Sequence, residues 1–207
     1  METLGKFIVL EGIDGCGKGT QIKLLSEFLI KKGYSVENKK YPEYGQPIGD
    51  LLHNFLYKRI ELNAVSEVLL HTADRLKDKE YIQNCLKSGK ILLADRYYTS
   101  TLVYQALKGV ALEKMLRLSE LFEMPRPDLS ILIRISPETS LERKSKEKPG
   151  NLDRHEEDLL FQKSLAETYE QLAQENVFCP WAIVDGEGSV EEVFNQTVSL
   201  LNKKLNI

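Results

Sequence analysis

The chain has 207 residues, 42% of them hydrophobic and 29% charged, which suits one compact globular domain with a sizeable core. A net charge of -3 and a pI near 5.8 argue against a broad nucleic-acid-binding face and leave room for a local basic pocket. Cys16, Cys85 and Cys179 are an odd set without metal-ligand spacing, the first residues run into a strand rather than a secretory leader, and no apolar run nears the roughly 20 residues that cross a bilayer; the expectation is a cytoplasmic protein with no membrane segment.

Residues 6–11, KFIVLE, read as a short buried strand that breaks into Gly12-Ile13-Asp14-Gly15-Cys16-Gly17-Lys18-Gly19-Thr20. The glycines let the backbone turn tightly and aim its N–H groups at anionic oxygens. Ile22, Leu25, Phe28 and Leu29 recur at helical spacing, so a helix opens on the loop and adds its positive end to the same spot. Lys18 supplies the point charge for β- and γ-phosphates, which makes this a polyphosphate cradle with residues 12–20 as the nucleotide-binding set. Gly19 stands where Ser or Thr usually offers magnesium a hydroxyl, and Thr20 follows one place later; the metal then leans on phosphates and water, with no protein cage. Cys16 reads as a small residue that fits the loop, with oxidative inhibition as the sharper alternative.

Further strands are predicted at 35–40, 91–95, 129–135 and 181–185. Helices are predicted at 18–32, 47–57, 64–88, 99–107, 112–122, 137–146, 156–175 and 190–204. This alternation implies an α/β fold with a five-stranded parallel sheet flanked by helices in three layers, closed by right-handed crossovers. Runs such as ILLA and LSILIRI are nearly continuously apolar, as strands buried on both faces should be. Ligands then sit at the carboxyl ends of the strands, where the Gly12 loop, Asp95-Arg96 and the segment after Ile135 fall. Residues 144–150, KSKEKPG, read as a surface loop rather than a linker, so the whole of 1–207 is expected to be a single domain.

Asp95 and Arg96 lie just past a buried strand, and an Arg there grips a phosphate through two donors or forms a structural ion pair. Together with the phosphate loop, the segment Asp95-Arg96-Tyr97, Ser100, Tyr104, Gln105 resembles the nucleoside-monophosphate kinase group and, within it, the thymidylate kinase family. The resemblance covers nearly the whole chain through EGIDGCGKGTQ, YPEYGQPIG, LLHTADR, PRPDLSILIRISPE and LERKSKEKPGNLDRHEE, in order.

That resemblance implies transfer of the γ-phosphoryl group of MgATP to dTMP, with ATP and Mg²⁺ as cofactors, a homodimer, and a small lid at about 141–157. Lys18 and the loop would hold the donor, and Arg96 would clamp the acceptor phosphate. Asp14 would stand near the acceptor sugar or a bridging magnesium, with a plain turn-forming Asp as the bland reading. Glu43 and Tyr44 would face the acceptor phosphate and sugar. His71, Arg75, Ser100 and Gln105 would select the base, Arg75 donating to thymine O4 and Gln105 donating to or accepting from the N3 edge. Tyr104 would crowd the ribose 2′ position. His71 departs from the family's usual Phe; its planar ring would stack on the base and titrate near pH 6.5. The phosphate loop carries no Arg, so the lid would supply the transition-state arginine, Arg154 ahead of Arg143. A deoxynucleoside kinase is the nearest competitor. A GTPase-type switch lacks its DxxG and NKxD-like parts, and a non-catalytic nucleotide-binding module would leave the lid and acceptor motif without purpose.

Overall fold

The computed structural model describes residues 5–147 and 158–207. Five strands form one parallel sheet: β1 (Lys6–Glu11), β2 (Val36–Lys40), β3 (Ile91–Asp95), β4 (Leu129–Arg134) and β5 (Trp181–Asp185), in the spatial order β2-β3-β1-β4-β5. The apolar composition of β1, β3 and β4 matches their central places, and almost every residue in them is buried. β2, VENKK, is an edge strand and stays half exposed.

Among the described residues there are nine helices: α1 (Lys18–Lys31), α2 (Pro47–Leu56), α3 (Ala64–Leu76), α4 (Lys79–Lys87), α5 (Tyr98–Leu107), α6 (Leu112–Leu121), α7 (Pro137–Glu147), α8 (Leu159–Gln174) and α9 (Val190–Leu205). The path from β1 to β2 runs one way across the sheet, and every later crossover runs the other way. Right-handed connections therefore put α1 on one face, where α9 packs against it, and the β3–β4 and β4–β5 helices on the opposite face. β1 is the point where the direction reverses, and it aims its carboxyl end at the phosphate loop.

One expectation needs correcting. The single helix predicted over 64–88 is two, α3 and α4, because Lys77 and Asp78 are drawn sideways. Lys77 Nζ donates to the Asp74 carbonyl at 2.7 Å, and Asp78 accepts from Tyr41 OH at 2.9 Å and Lys39 Nζ at 3.2 Å. No Gly or Pro marks the break; distant polar partners make it, so helical periodicity runs straight through. The helix expected over 156–175 begins at Leu159, with 156 and 157 outside the described residues, and the other boundaries differ from expectation by a residue or two, the usual fraying of element ends.

Candidate active site

The phosphate loop spans the gap from β1 to α1. Gly12 has φ 140°, and a Cβ there would meet the Ile133 carbonyl oxygen at 2.6 Å and Cys16 Sγ at 2.8 Å, so only glycine lets the loop turn over β4. Cys16 is buried against it, in keeping with the packing reading. Lys18 is buried too; its Nζ donates to the carbonyls of Gly12 (3.0 Å) and Ile13 (3.2 Å), which hold the ammonium over the loop. A cleft of about 680 Å³ opens above, lined by residues 14–21, Asp95 and Arg96, Arg143 and Lys144 of α7, and the turn from Gly186 into α9. Arg143 spans this cleft: its Nη1 donates to the Gly15 carbonyl at 3.4 Å and its Nη2 to the Gly186 carbonyl at 3.1 Å. Arg154 lies outside the described residues, as does the lid beyond residue 147. Lys146 pairs with Glu142 at 2.6 Å one turn back on the exposed face of α7, so the described part of the loop expected over 144–150 is helical instead.

A second cavity, about 100 Å³, lies behind the first and is lined by Asp14, Pro42, Tyr44, Leu56, Glu67, His71, Arg75, Arg96, Ser100, Thr101, Tyr104 and Gln105. Every sequence-predicted acceptor residue except Glu43 is in that wall. The Glu43 carboxylate turns outward to Lys77 (2.8 Å) and Lys39 (3.3 Å), and its hydrogen bonds from Lys77 hold its pKa below the usual range. The Glu43 backbone packs against α2. A Cβ on Gly49 would sit 2.0 Å from the Glu43 carbonyl oxygen, so Gly49 is what lets α2 pack onto the loop that carries Tyr44.

Arg96 stands at the junction of both cavities. Its backbone has φ 66°, a left-handed conformation that a non-glycine residue adopts at some strain, and its N–H is held by the Leu10 carbonyl at 3.0 Å. Its guanidinium donates from Nη2 to Asp14 Oδ1 at 2.8 Å and from Nη1 to Tyr169 OH at 3.0 Å and Ser100 Oγ at 3.3 Å, and lies over the Tyr104 ring at 5.5 Å. Three of five N–H donors are thus engaged among the described residues, which leaves two for a ligand. Burial pushes the Asp14 carboxyl up, but Arg96, then Lys18 and Lys144, outweigh it and hold the group well below the usual carboxylate range.

Two residues behind Arg96 escaped the sequence reading. Glu11, fully buried at the end of β1, accepts from Thr99 Oγ1 (2.5 Å), Ser100 Oγ (2.6 Å), Tyr97 N, Ser100 N and Tyr169 OH (3.0 Å). With the Ser100 and Tyr169 protons drawn to Glu11, the lone pairs of both hydroxyls face Arg96. Burial, then Glu11, push the Tyr169 phenol well above its usual pKa, so it stays a neutral hydroxyl. A lone carboxylate closing an apolar strand was the available signal for Glu11. Tyr169 had none, because it reaches the site only through the packing of α8 on α5.

In the same wall Arg75 is buried, and its Nη1 lies 2.9 Å from His71 Nδ1. A guanidinium only donates, so Nδ1 accepts and the imidazole proton sits on Nε2. His71 therefore lines the wall with one ring nitrogen committed to Arg75. Glu67, Thr101, Pro42 and Leu56 also line this cavity without having been singled out; Glu67 lies one turn before His71 and two before Arg75 on the same helix face. Among the described residues no group of three or more His, Cys, Asp or Glu could hold a metal ion, and no helix is long and apolar enough to cross a membrane.

A glycine-rich phosphate cradle on a parallel sheet, meeting a second anion-ready pocket across one arginine, defines a P-loop phosphotransferase with two substrate sites. The thymidylate kinase family profile matches residues 10–197. A probable thymidylate kinase of Pyrococcus abyssi is 37% identical over 206 residues, covering 97% of this chain and 98% of its own. Thymidylate kinases of Thermoanaerobacter sp. (strain X514) and Caldicellulosiruptor saccharolyticus are each 35% identical, covering 97% of this chain and 99% and 98% of theirs. The chain belongs to the thymidylate kinase family.

Proposed function

We propose that this protein transfers the γ-phosphoryl group of MgATP to dTMP, giving ADP and dTDP for dTTP biosynthesis, with the two nucleotides meeting at Arg96. The observation that carries the reading is that Asp14, Pro42, Tyr44 and Arg96 line both cavities, so ligands in the two sites share a wall and approach end to end. Phosphoryl transfer asks the protein chiefly to align two anionic phosphates and neutralise their charge. Lys18 and the loop N–H groups take the donor phosphates. Arg96 offers its two remaining donors to the acceptor phosphate, and its partners Asp14, Ser100 and Tyr169 fix its plane.

Magnesium fits here as a phosphate-bound ion rather than a protein-caged one. Asp95 Oδ1 is buried without a partner at the end of β3, and Asp14 and Thr20 line the same cleft; these oxygens would hold the ion's water shell. Bound there, it would neutralise developing phosphate charge. In the acceptor pocket, Tyr104 and Tyr44 wall the sugar, and His71, Arg75, Ser100 and Gln105 face the base. Arg154 and Arg143 serve the transition state from the lid, Arg143 from its position between Gly15 and Gly186, and lid closure keeps water from the phosphoryl group.

The whole chain is one kinase domain with its lid at about 141–157; a single buried core running across all five strands supports this. Three free, buried cysteines suit a cytoplasmic setting. We assign a homodimer; Val65 and Leu69, exposed one turn apart on α3, suit a partner surface, and sedimentation of the purified protein tests it by mass. The activity is tested by coupled ADP release across a panel of nucleoside monophosphates and thymidine. dTMP should be the preferred acceptor, and failure of every monophosphate to release ADP would sink the reading. Preference for thymidine would favour a nucleoside kinase.

A further inference from the structure

Three buried polar atoms of the proposed acceptor wall have no partner among the described residues: the Thr101 hydroxyl, which can donate or accept, and two of opposite sense. Arg75 Nε is a donor, and Gln105 Oε1 is an acceptor. Thymine presents the complement along one edge, a 4-oxo acceptor beside an N3–H donor. Cytosine presents the reverse, a 4-amino donor beside an N3 acceptor. Arginine cannot change its sense, but glutamine can, because its amide reverses by a half-turn of the terminal torsion. Selectivity at N3 therefore depends on what holds the Gln105 amide.

That group is Glu67. Its side chain is buried on α3 and its Oε2 accepts from Gln105 Nε2 at 3.0 Å. The same oxygen accepts from Lys108 Nζ at 2.6 Å, which balances the buried charge. A carboxylate offers acceptors only, so it binds the amide NH₂ and refuses the amide oxygen. With one Nε2–H tied back to Glu67, the amide is held in the orientation that leaves Oε1 as its unpartnered atom. We propose that Glu67 is a positioning residue for base selection: it locks Gln105 as an acceptor, and the pocket then admits a 4-oxo-3-NH pyrimidine and rejects a 4-amino one. This rests on the dTMP reading given above and adds the group that enforces it. A flipped amide or a cytosine ring would leave a buried polar group unpaired.

Glu67→Gln tests the assignment, since a carboxamide accepts either orientation of Gln105 while keeping the shape. The ratio of kcat/KM for dTMP to that for dCMP should fall about tenfold to a hundredfold, mostly through KM, the range expected when a buried pair loses its direction. Glu67→Gln combined with Lys108→Met removes both charges together and should show the same fall if the single variant folds poorly. In a Gln105→Ala background, Glu67→Gln should leave the ratio unchanged, because the residue through which it acts is gone. A ratio within about twofold of the parent in both Glu67 variants, or an equal fall with and without Gln105, overturns the proposal. A parent protein that phosphorylates no dTMP overturns both this and the reading beneath it; a dTMP-selective parent with an unchanged ratio in Glu67→Gln overturns this one alone.

Discussion

About 680 Å³ of cleft over the phosphate loop stands next to about 100 Å³ of pocket behind Arg96, and the two are made of different material. The donor side is built from consecutive residues and main-chain groups: Gly12 to Thr20, with Lys18 held by carbonyls of its own loop. The acceptor side is built from side chains of α2, α3 and α5 and the Pro42–Tyr44 loop, braced by Glu11 and Tyr169 from β1 and α8. A backbone site recognises what all nucleoside triphosphates share. A side-chain site can distinguish one base from another, but each side chain needs a second one to aim it.

The residue where the two halves meet should be the most sensitive. Arg96→Ala removes the proposed acceptor clamp and leaves Asp14 without its partner, and kcat/KM for dTMP should fall by about a thousandfold or more, as when an arginine is lost from phosphoryl transfer. Arg96→Lys should recover little, because one ammonium cannot replace a planar fork that already serves Asp14, Ser100 and Tyr169. Steady-state kinetics on both variants would decide it; a near-normal Arg96→Lys would mean that the clamp is a point charge and that the bracing is incidental.

Glu11 separates bracing from binding. Glu11→Gln keeps the volume but presents an NH₂ to a ring of donors, so one or more buried donors go unpaired. Unfolding in urea should show a loss of about 1–3 kcal/mol, together with a raised KM for dTMP, while ATP binding, which depends on the loop backbone, changes little. Equal loss at both sites would show that the two halves share one support.

The same division explains what the sequence revealed. The phosphate loop was fully legible because its chemistry is contiguous: glycines, lysine and a helix start fall within nine positions. The parallel sheet was legible because its strands are apolar on both faces. The acceptor residues were legible only by resemblance to a family, since nothing local distinguishes Ser100 or Gln105 from other helix residues. Glu11 showed only as a lone carboxylate closing an apolar strand, and Glu67 and Tyr169 were not legible at all. Their meaning lies in partners 89, 38 and 73 positions away, namely Ser100, Gln105 and Arg96. The break between α3 and α4 was hidden for the same reason, being made by Tyr41 and Lys39 rather than by a breaker residue. For Glu43 the motif suggested a phosphate neighbour, and its carboxylate is paired with Lys39 and Lys77, contacts that no local pattern announced.

Tyr169→Phe asks how much of the acceptor side depends on α8. The variant keeps the ring and removes one hydroxyl that joins Arg96, Ser100 and Glu11. Since a hydrogen bond to a charged group contributes about 1.5–3 kcal/mol, kcat/KM for dTMP should fall by about tenfold to a hundredfold, with the loss in the acceptor terms alone.

Acid should also reach the two sides differently. The Asp14 carboxyl is depressed in the folded protein, so its pairing with Arg96 is fully present above the unfolded value of about 3.9 and is lost only as pH falls further, through the folded value. No loss of function between pH 5 and 8 can come from it. The imidazole in the wall of the smaller cavity is that of His71. Its Nδ1 accepts from Arg75, and protonation would set two cations against each other. Protonation of His71 should therefore weaken dTMP binding, and an acid limb in dTMP affinity that comes from it should flatten in His71→Phe. A limb that persists in His71→Phe would return the effect to the phosphate itself.

The smallest effect belongs to the donor side, at the place where the loop lacks its usual hydroxyl. Gly19 lies in the first turn of α1, is exposed, and has nothing within 4 Å of where a Cβ would stand. Its φ is not in the left-handed region, so a side chain there meets neither strain nor clash. Gly19→Ser should therefore raise stability by a few tenths of a kcal/mol through helix propensity alone, read as a small rise in urea midpoint. If the cleft binds magnesium through phosphates and water, the added hydroxyl should lower the magnesium concentration needed for half-maximal rate only modestly, without changing KM for dTMP. A large drop in that requirement would mean that the loop's missing hydroxyl limits metal binding in the parent, and that the donor side depends on an aimed side chain as much as the acceptor side does.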